Sequence, residues 1–483
     1  MLEHKPLLTA ALVVLASSCV DTGDPTATTT QDVTLAGCAT TAIPNDGLDD
    51  RAAIQAALDG QGCAYLPAGV YDISTPLGTP TVRRPNSIIA LAAGRSLFGD
   101  GATSILRFHG DAQQQDWYGV GILGDFAQVH DLGFETSTLT GTSEQTHAIR
   151  INGPVMSPVV RDNSFDHPVR TGQAGGDCIQ LVGYAPAKLI TGARITHNHF
   201  NHCDRSGVAV HSGTVGLVIS DSDFHDTGDQ DIDLEGTGDI TGTTIARNTI
   251  DVGPHPQGGT AIHVVSMSGA SIIDNTLNGR GILVYSCDHC LISHNTITRD
   301  GAQDAGAVIE VIKASTDMTI SDNTLTRLPT ASAAAVLRFV PHNSGTPAGI
   351  RVIHNTLNQG TASNVVFNEG TVDLVLADNA VNYTASASGM RGFNIQASTA
   401  IRTTRIVATG NAFSGPLFAA ISVSGSYAGT GAITAINNTT DAAVLGGLRC
   451  ENITAAGMVL GPVIVSQNTW PAPICGTLVN AGL

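Results

Sequence analysis

Charge is scarce in this chain. Only 13% of its 483 residues are Asp, Glu, Lys or Arg, against roughly 25% in an ordinary globular domain. A coiled coil, built on Glu, Lys, Arg and Leu, is excluded by that shortage. A disordered chain is excluded by the 42% of hydrophobic residues, more than enough for a core. Lysine is nearly missing: Lys5, Lys188 and Lys313 are the whole complement, so Arg carries the positive charge and few lysines can serve as a catalytic base. Aromatics are 4%, with Trp117 and Trp470 the only tryptophans, which leaves few platforms for sugar stacking. The one marked apolar run, Leu7 to Ala16, is half of the about 20 residues that a spanning helix needs. A multi-span helical protein is therefore excluded. The formal net charge of -18 argues against nucleic acid as a partner, because phosphate binding needs a basic footprint.

What remains is rich in Gly (54 residues), Thr, Asn, Val and Ile, a composition that leans to strands and turns. A short phrase recurs: apolar, any, apolar, one or two polar residues, Asn, any, apolar. It reads VVRDNSF, ARITHNHF, TTIARNTI, SIIDNTL, LISHNTI, MTISDNTL, RVIHNTL and LVLADNAV, with weaker copies VATGNAF, TAINNTT and VIVSQNTW. Its Asn falls at 163, 198, 248, 275, 295, 323, 355, 379, 411, 438 and 468, with Asp223 expected to fill the gap after 198. The alternation is that of a strand, broken by a turn at the Asn. Stacked one per coil, these residues would form a hydrogen-bonded ladder. A second strand follows in many repeats: DCIQLV, GVAVHS, DIDLEG, TAIHVV, GILVYS and AVIEVI. Repeats of strands without helices, each unable to bury its face alone, predict a parallel β-helix. About a dozen coils spaced by about 4.8 Å give a rod of roughly 55–70 Å.

The first residues read as an export signal. Lys5 is a weak positive flank to the apolar run, and residues 1–18 form the leader. Ala16-Ser17-Ser18 before Cys19 resembles a bacterial lipobox, which implies lipidation of Cys19. Val20 after it implies outer-membrane sorting, with plain secretion or release to the periplasm as the alternative. Residues 19–36, rich in Asp, Thr, Gly and Pro, read as a tether. Membrane contact is then expected only through the lipid on Cys19. The other eight cysteines make an even number for an oxidising compartment. Cys38 with Cys63, Cys178 with Cys203, Cys287 with Cys290, and Cys450 with Cys475 are the candidate disulfides. A zinc reading of Cys287, Cys290, His289 and His294 stands beside the local disulfide.

The start of the folded part is more specific. Asp49 or Asp50 suits the N-cap of a helix over 51–58; YLPAGVYDI and LFGDGATSIL follow. These segments, with the Asn repeats, resemble the pectin lyase-like superfamily of right-handed parallel β-helices, over about residues 40–470. The resemblance implies an all-β fold: a single-stranded right-handed parallel β-helix solenoid with a short N-terminal capping helix. The β-helix is expected over 37–475, with its cap in 37–80 and a tail at 476–483. With both rod ends covered, a monomer is expected. The superfamily includes polysaccharide lyases, glycoside hydrolases, uronan epimerases and phage tailspikes, so the partner it implies is a polysaccharide.

Alternation in the second strand set places Ile149/Ile151, Ile179/Leu181, Val208/Val210, Ile232/Leu234, Ile262/Val264, Ile282/Val284 and Ile309/Val311 inward. Three outward columns follow. The middle one reads Arg150, Gln180, Ala209, Asp233, His263, Leu283, Glu310. The next reads Asn152, Val182, His211, Glu235, Val265, Tyr285, Ile312. The preceding one reads Ala148, Cys178, Gly207, Asp231, Ala261, Gly281, Val308. One coil concentrates acid: Asp231, Asp233 and Glu235 are expected on one outward face, about 6–7 Å apart. Three like charges there call for a cation or shared protons, and calcium is the candidate through hard oxygens. A carboxylate pair at such spacing also suits an inverting hydrolase, as in the polygalacturonase-type members, whose full motif set is missing from this sequence. His211, His263, Tyr285 and Arg205 join as catalytic candidates, with Arg205 or Arg280 as the base of a lyase. Arg150, Gln180, Arg280, Glu310 and Arg338 are the candidate substrate-binding residues. The expected function is surface or extracellular action on a polysaccharide by hydrolysis or β-elimination, with a non-catalytic glycan-binding or structural rod as the alternative.

Overall fold

Each recurring phrase forms a short strand on either side of its Asn. Before the Asn, strands such as Val159–Arg161, Arg194–Thr196 and Val218–Ser220 pair in parallel, coil upon coil. After it, Ser164–Asp166, His199–Asn201 and Asp223–His225 pair in the same way. The second strand set makes a third sheet, in which Ile179–Val182, Val208–His211 and Ile232–Thr241 are successive members. The first sheet runs through 15 strands, from Cys63–Leu66 to Val463–Ser466. At about 4.8 Å per step that is a rod of roughly 67 Å. The protein is a right-handed parallel β-solenoid with little helix. This computed structural model describes residues 37–471 apart from 75–86, 112–116, 137–138, 141–145, 167–175, 185, 254–258, 301–305, 330–332, 343–344, 398–404, 426–431 and 452–462. The leader, Cys19, the tether, Cys475 and the side chain of Cys450 lie outside the described residues.

The coil interior is dry. Phe108, Phe134, Phe165, Phe200 and Phe224 stack in one column, the last three pairs of rings 4.9, 5.0 and 4.4 Å apart. All seven inward pairs read from the sequence are buried. Each such side chain contributes about 1.5–3 kcal/mol over leaving it in water. The helix Arg51–Gln61 lays Ile54, Ala57 and Leu58 over the N-terminal end of this core and stops at Gly62, whose φ of 81° suits the left-handed cap. Asp50 holds the N-cap position without capping; its carboxylate accepts from the Ile43 and Asp72 amides and ties the cap to the first coil. Disulfides join Cys38 to Cys63, Cys178 to Cys203 and Cys287 to Cys290.

The ladder is buried and continuous. Asn295 donates both its backbone N–H and its side-chain amide to Asn323 Oδ1, at 2.9 and 3.0 Å, and its amide also reaches the Ile272 carbonyl. The same contacts repeat at Asn323, Asn355, Asn379 and Asn411. Two details differ from the sequence reading. The gap after Asn198 is filled by Ser222, not Asp223: the Ser222 hydroxyl accepts from the Asn198 amide, and its N–H donates to Asn248. Asp223, one residue on, faces out and pairs with His199. Second, the turn rests on the residue before each rung, Asn or Ser222, and that residue is left-handed. Asp162, His197, Asp221, Arg247, Asp274, His294, Asp322 and His354 all have φ of 54–57°. Such a conformation costs roughly 1–2 kcal/mol for a residue with a side chain, and the ladder bonds, about 1 kcal/mol each, offset it.

Replacing Asn323 by Ala orphans the Asn295 backbone N–H and removes one acceptor of its side-chain amide in the buried ladder. The expected cost is about 2–4 kcal/mol, read as a lower midpoint in denaturant unfolding with far-ultraviolet circular dichroism retained below the transition. An unchanged midpoint would remove the ladder from the stability argument.

Candidate functional site

Parallel pairing carries the outward columns from coil to coil. Ile232 and Leu234 are inward, so Asp233 and Glu235 point out. Register then sets Ala209 and His263 on either side of Asp233, and His211 and Val265 on either side of Glu235. His263 Nδ1 lies 3.1 Å from Asp233 Oδ1 and His211 Nδ1 3.3 Å from Glu235 Oε2. Arg205, entering from the preceding corner, places Nη2 3.5 Å from Asp233 and Nε 3.9 Å from Asp177. Just past Glu235 the strand Ile232–Thr241 slips register against its neighbour, between Glu235 and Ile240. A bulge at that point re-aims the end of the strand. Glu235 keeps 44% of its side chain in solvent, while Asp233 keeps 1%.

The third member of the expected trio is elsewhere. Asp231 is buried, accepts from the Thr227 hydroxyl at 2.6 Å and lies 3.7 Å from Arg280. The whole preceding column, Ala148, Cys178, Asp231, Ala261 and Val308, is likewise buried. Alternation does not extend back past Ile232 because the backbone turns a corner there. Arg280 is buried with Asp231 and donates to the Asp229 and Thr227 carbonyls. A sealed guanidinium of this kind touches no substrate, which corrects its reading as a base or as a grip on the sugar. Gln180 is also corrected: it is 2% exposed and offers no surface.

The other columns stack in the register read from the sequence, and this decides where the remaining candidates sit. Tyr285 lies two coils beyond Glu235, with Lys313 Nζ 3.8 Å above its ring and His342 beside it. Arg150 lies over Tyr118 at 4.1 Å. Arg338 is clamped by Glu310 at 3.1 Å and Glu369 at 2.6 Å, so its charge is already met. At the turn of Cys287 and Cys290, His289 leans on Asp288 at 2.9 Å, and His294 belongs to the ladder turn.

Two groups that the sequence reading passed over complete the site. Asp177 is wholly buried, its Oδ2 3.4 Å from His147 and its Oδ1 accepting from the Ser206 amide. Burial pushes its carboxyl up to about 7 against the pull of Arg205. Asp229 is raised by burial and then by Asp233. Glu235 is lowered, first by its hydrogen bond to His211. For Arg205, burial works towards a lower pKa, but Asp177, Asp233, Glu235 and Asp229 outweigh it and the value goes up. Arg205 therefore stays protonated, which argues against it as a lyase base. An Asp at the corner before a strand was the available signal for Asp177, since DCIQLV and DIDLEG share it; nothing marked His147.

Asp233, Glu235 and His263 each bring one ligand atom within 4.8 Å of the others. They replace the Asp231, Asp233 and Glu235 set expected for calcium. A nitrogen with two oxygens suits zinc-like ions better than calcium, which prefers oxygen alone. Asp288, His289 and Asp317 form a second, more exposed group of the same kind.

Asp177 and Asp231, raised to about 7 and about 6 from 3.8, hold protons in the folded state that the unfolded chain gives up. Their contribution to stability is full below about pH 4 and is lost as pH rises through 6 and 7. The expected outcome is a thermal midpoint whose fall between pH 4 and 7.5 is shallower in Asp177→Asn than in the parent chain. Parallel profiles would show that Asp177 is ionised throughout.

Residues 189–338 match the family model described as "Right handed beta helix region". No curated protein matches the sequence. Among solved structures, the tailspike of E. coli bacteriophage HK620, determined with a pentasaccharide, aligns with TM-score 0.56 at 12% identity, over 84% of this chain and 76% of its own. The tailspike of Pseudomonas phage phi297 aligns with TM-score 0.56 at 11% identity, over 77% and 76%. The A-module of a mannuronan C-5 epimerase of Azotobacter vinelandii aligns with TM-score 0.43 at 15% identity, over 89% and 98%. The coil-by-coil pairing, the matched region and the two tailspike likenesses agree on one architecture: this chain is a right-handed parallel β-helix protein.

Proposed function

We propose that the chain hydrolyses a polysaccharide on the outer face of the third sheet, with Asp229 as general acid and Glu235 as general base. The observation that carries this reading is the opposed shift of two carboxyls from one coil. Asp229 is pushed up by burial and Asp233, and Glu235 is pulled down by His211. Groups whose environments drive their pKa values apart divide into acid and base. Both feel Arg205 and His263. In the reaction, Asp229 gives its proton to the leaving glycosidic oxygen. Glu235 takes a proton from the water that attacks the anomeric carbon. His211 orients Glu235, and Asp233 holds His263 and Arg205. The HK620 tailspike, a structural neighbour, was determined with a pentasaccharide, which accords with a sugar partner on this fold.

A second reading rests on the Asp233–His263 contact at 3.1 Å. A histidine held by a carboxylate would be the base of a β-elimination at a uronate, with Tyr285 in the coil directly after it. Export, with a lipid on Cys19 and outer-membrane sorting, is part of the same proposal, supported by the leader-like residues 1–18. Loss of palmitate labelling in Cys19→Ser would be its signature, and equal labelling would refute the anchor.

A glycan panel, digested with and without a chelator, separates the readings. Reducing ends are expected to rise without the ultraviolet absorbance of unsaturated uronate. Glu235→Gln and Asp229→Asn are expected to lower turnover by about 10²–10⁴-fold with the thermal midpoint kept. Rising absorbance would transfer the chemistry to His263. Loss of activity in chelator would reassign Asp233, Glu235 and His263 to a metal. Full activity in both variants would end the assignment of this coil.

A further inference from the structure

Along the third sheet, the outward column through Glu235 continues in register as Val265, Tyr285, Ile312 and Val340. Tyr285 stands two coils from Glu235, about 10 Å at about 4.8 Å per step. Three successive coils meet at its ring. Lys313 follows Ile312 in the left-handed conformation, with φ of 60°, and its backbone N–H donates to the Val340 carbonyl at 3.1 Å. Its ammonium lies back over Tyr285, 3.8 Å from the ring centre. His342 comes from the next coil, fixed by paired backbone bonds with Gly345 at 3.0 and 2.8 Å, and its ring centre lies 6.0 Å from that of Tyr285. Tyr285 and Lys313 are half-buried and His342 is exposed, so the group opens to solvent.

This ammonium rests on a ring and not on an acid. Cations elsewhere on the rod have found carboxylates: Arg95 meets Asp59, Arg107 meets Glu135, Arg247 meets Asp221 and Arg405 meets Asp373. Among the described residues no carboxylate lies within ion-pair reach of Lys313, in a chain of 41 acidic residues against 23 Lys and Arg. The acids of the adjacent column, Glu310 and Glu369, are held by Arg338 at 3.1 and 2.6 Å. A ring face attracts a cation without cancelling its charge, so the ammonium keeps its pull on an oxyanion. The Tyr285 hydroxyl and the His342 ring nitrogens are also without a hydrogen-bond partner among the described residues, and each can donate to the same oxyanion. Between this group and the acidic coil, the outward side chains Val265, Leu283 and Ile312 are half-buried. They make an apolar floor on which the C–H faces of a sugar can lie.

We propose that Lys313, Tyr285 and His342 form a subsite for the oxyanion, carboxylate or sulfate, of an acidic sugar unit. Lys313 supplies the charge, Tyr285 holds it in place, and the hydroxyl and imidazole add donors. Its place two coils from Glu235 lets one oligosaccharide engage both, which raises the effective concentration of the polymer at the acidic coil. The inference deepens the polysaccharide reading, on which it rests for its ligand class, by naming an acidic polymer. It is tested by binding without turnover, so it stands apart from the assignment of Asp229 and Glu235.

Affinity electrophoresis of the full chain, run in gels containing polygalacturonate, dextran sulfate or plain dextran, reads the subsite directly. Retardation is expected in an acidic gel and not in plain dextran, despite the net charge of -18. Polygalacturonate alone would identify carboxylate, dextran sulfate alone would identify sulfate, and both would show that either oxyanion fits. In Lys313→Gln the apparent Kd is expected to rise about tenfold or more, with the thermal midpoint kept. Lys313→Arg, which keeps a cation over the ring, should bind close to the parent. Lys188→Gln removes an exposed lysine from another part of the rod and should bind as the parent does. Glu235→Gln should lose turnover and keep its retardation, so that failure of the hydrolase reading and failure of this subsite are told apart. Equal retardation by plain dextran, no retardation in either acidic gel, a Lys313→Gln chain that binds as the parent does, or an equal loss in Lys188→Gln would overturn the proposal.

Discussion

The ladder of buried side chains at the corner between the first two sheets holds the coils in register. Each ladder Asn gives two donors to the carbonyl oxygen of the next and a third contact to a backbone carbonyl. Those bonds form only if successive coils start their strands at the same height. A slip of one residue would turn every inward side chain outward. The ladder also offsets the left-handed residue that precedes each rung. In a dry interior such a chain of amides is stronger than separate pairs would be. Everything else on the outer face inherits its alignment from this corner.

The candidate site is one product of that alignment. His211, Glu235, Asp233 and His263 come from three successive strands and meet because pairing is parallel and in register. The bulge after Glu235 leaves its carboxylate half in water, while Arg205 and His263 close over Asp233. Neighbouring carboxyls thus receive different surroundings, and Asp229 and Glu235 of one coil are driven to opposite proton affinities.

Much of this was legible beforehand. The Asn spacing announced a solenoid, and the alternation in DIDLEG placed Asp233 and Glu235 outside and Ile232 and Leu234 inside. The flanks of that pattern were not legible. Asp231 reads as outward by simple alternation, yet the chain bends before Ile232 and turns it in against Arg280. Ser222 rather than Asp223 carries the ladder, because a hydroxyl at that height can both accept from Asn198 and donate inward. Asp177 and His147 sit in separate repeats, and nothing local announces that they share a buried corner.

The sequence by itself determined the coil: the strand period, the turn at each Asn, the inward pairs and the order in which outward residues follow one another. These depend on local pattern and on a repeat that every coil obeys. Only the tertiary structure decided which charges are buried, which are paired and which are left over. Burial and pairing depend on where the corners turn and which loop covers which face, and those are set by contacts between residues 20 to 50 positions apart.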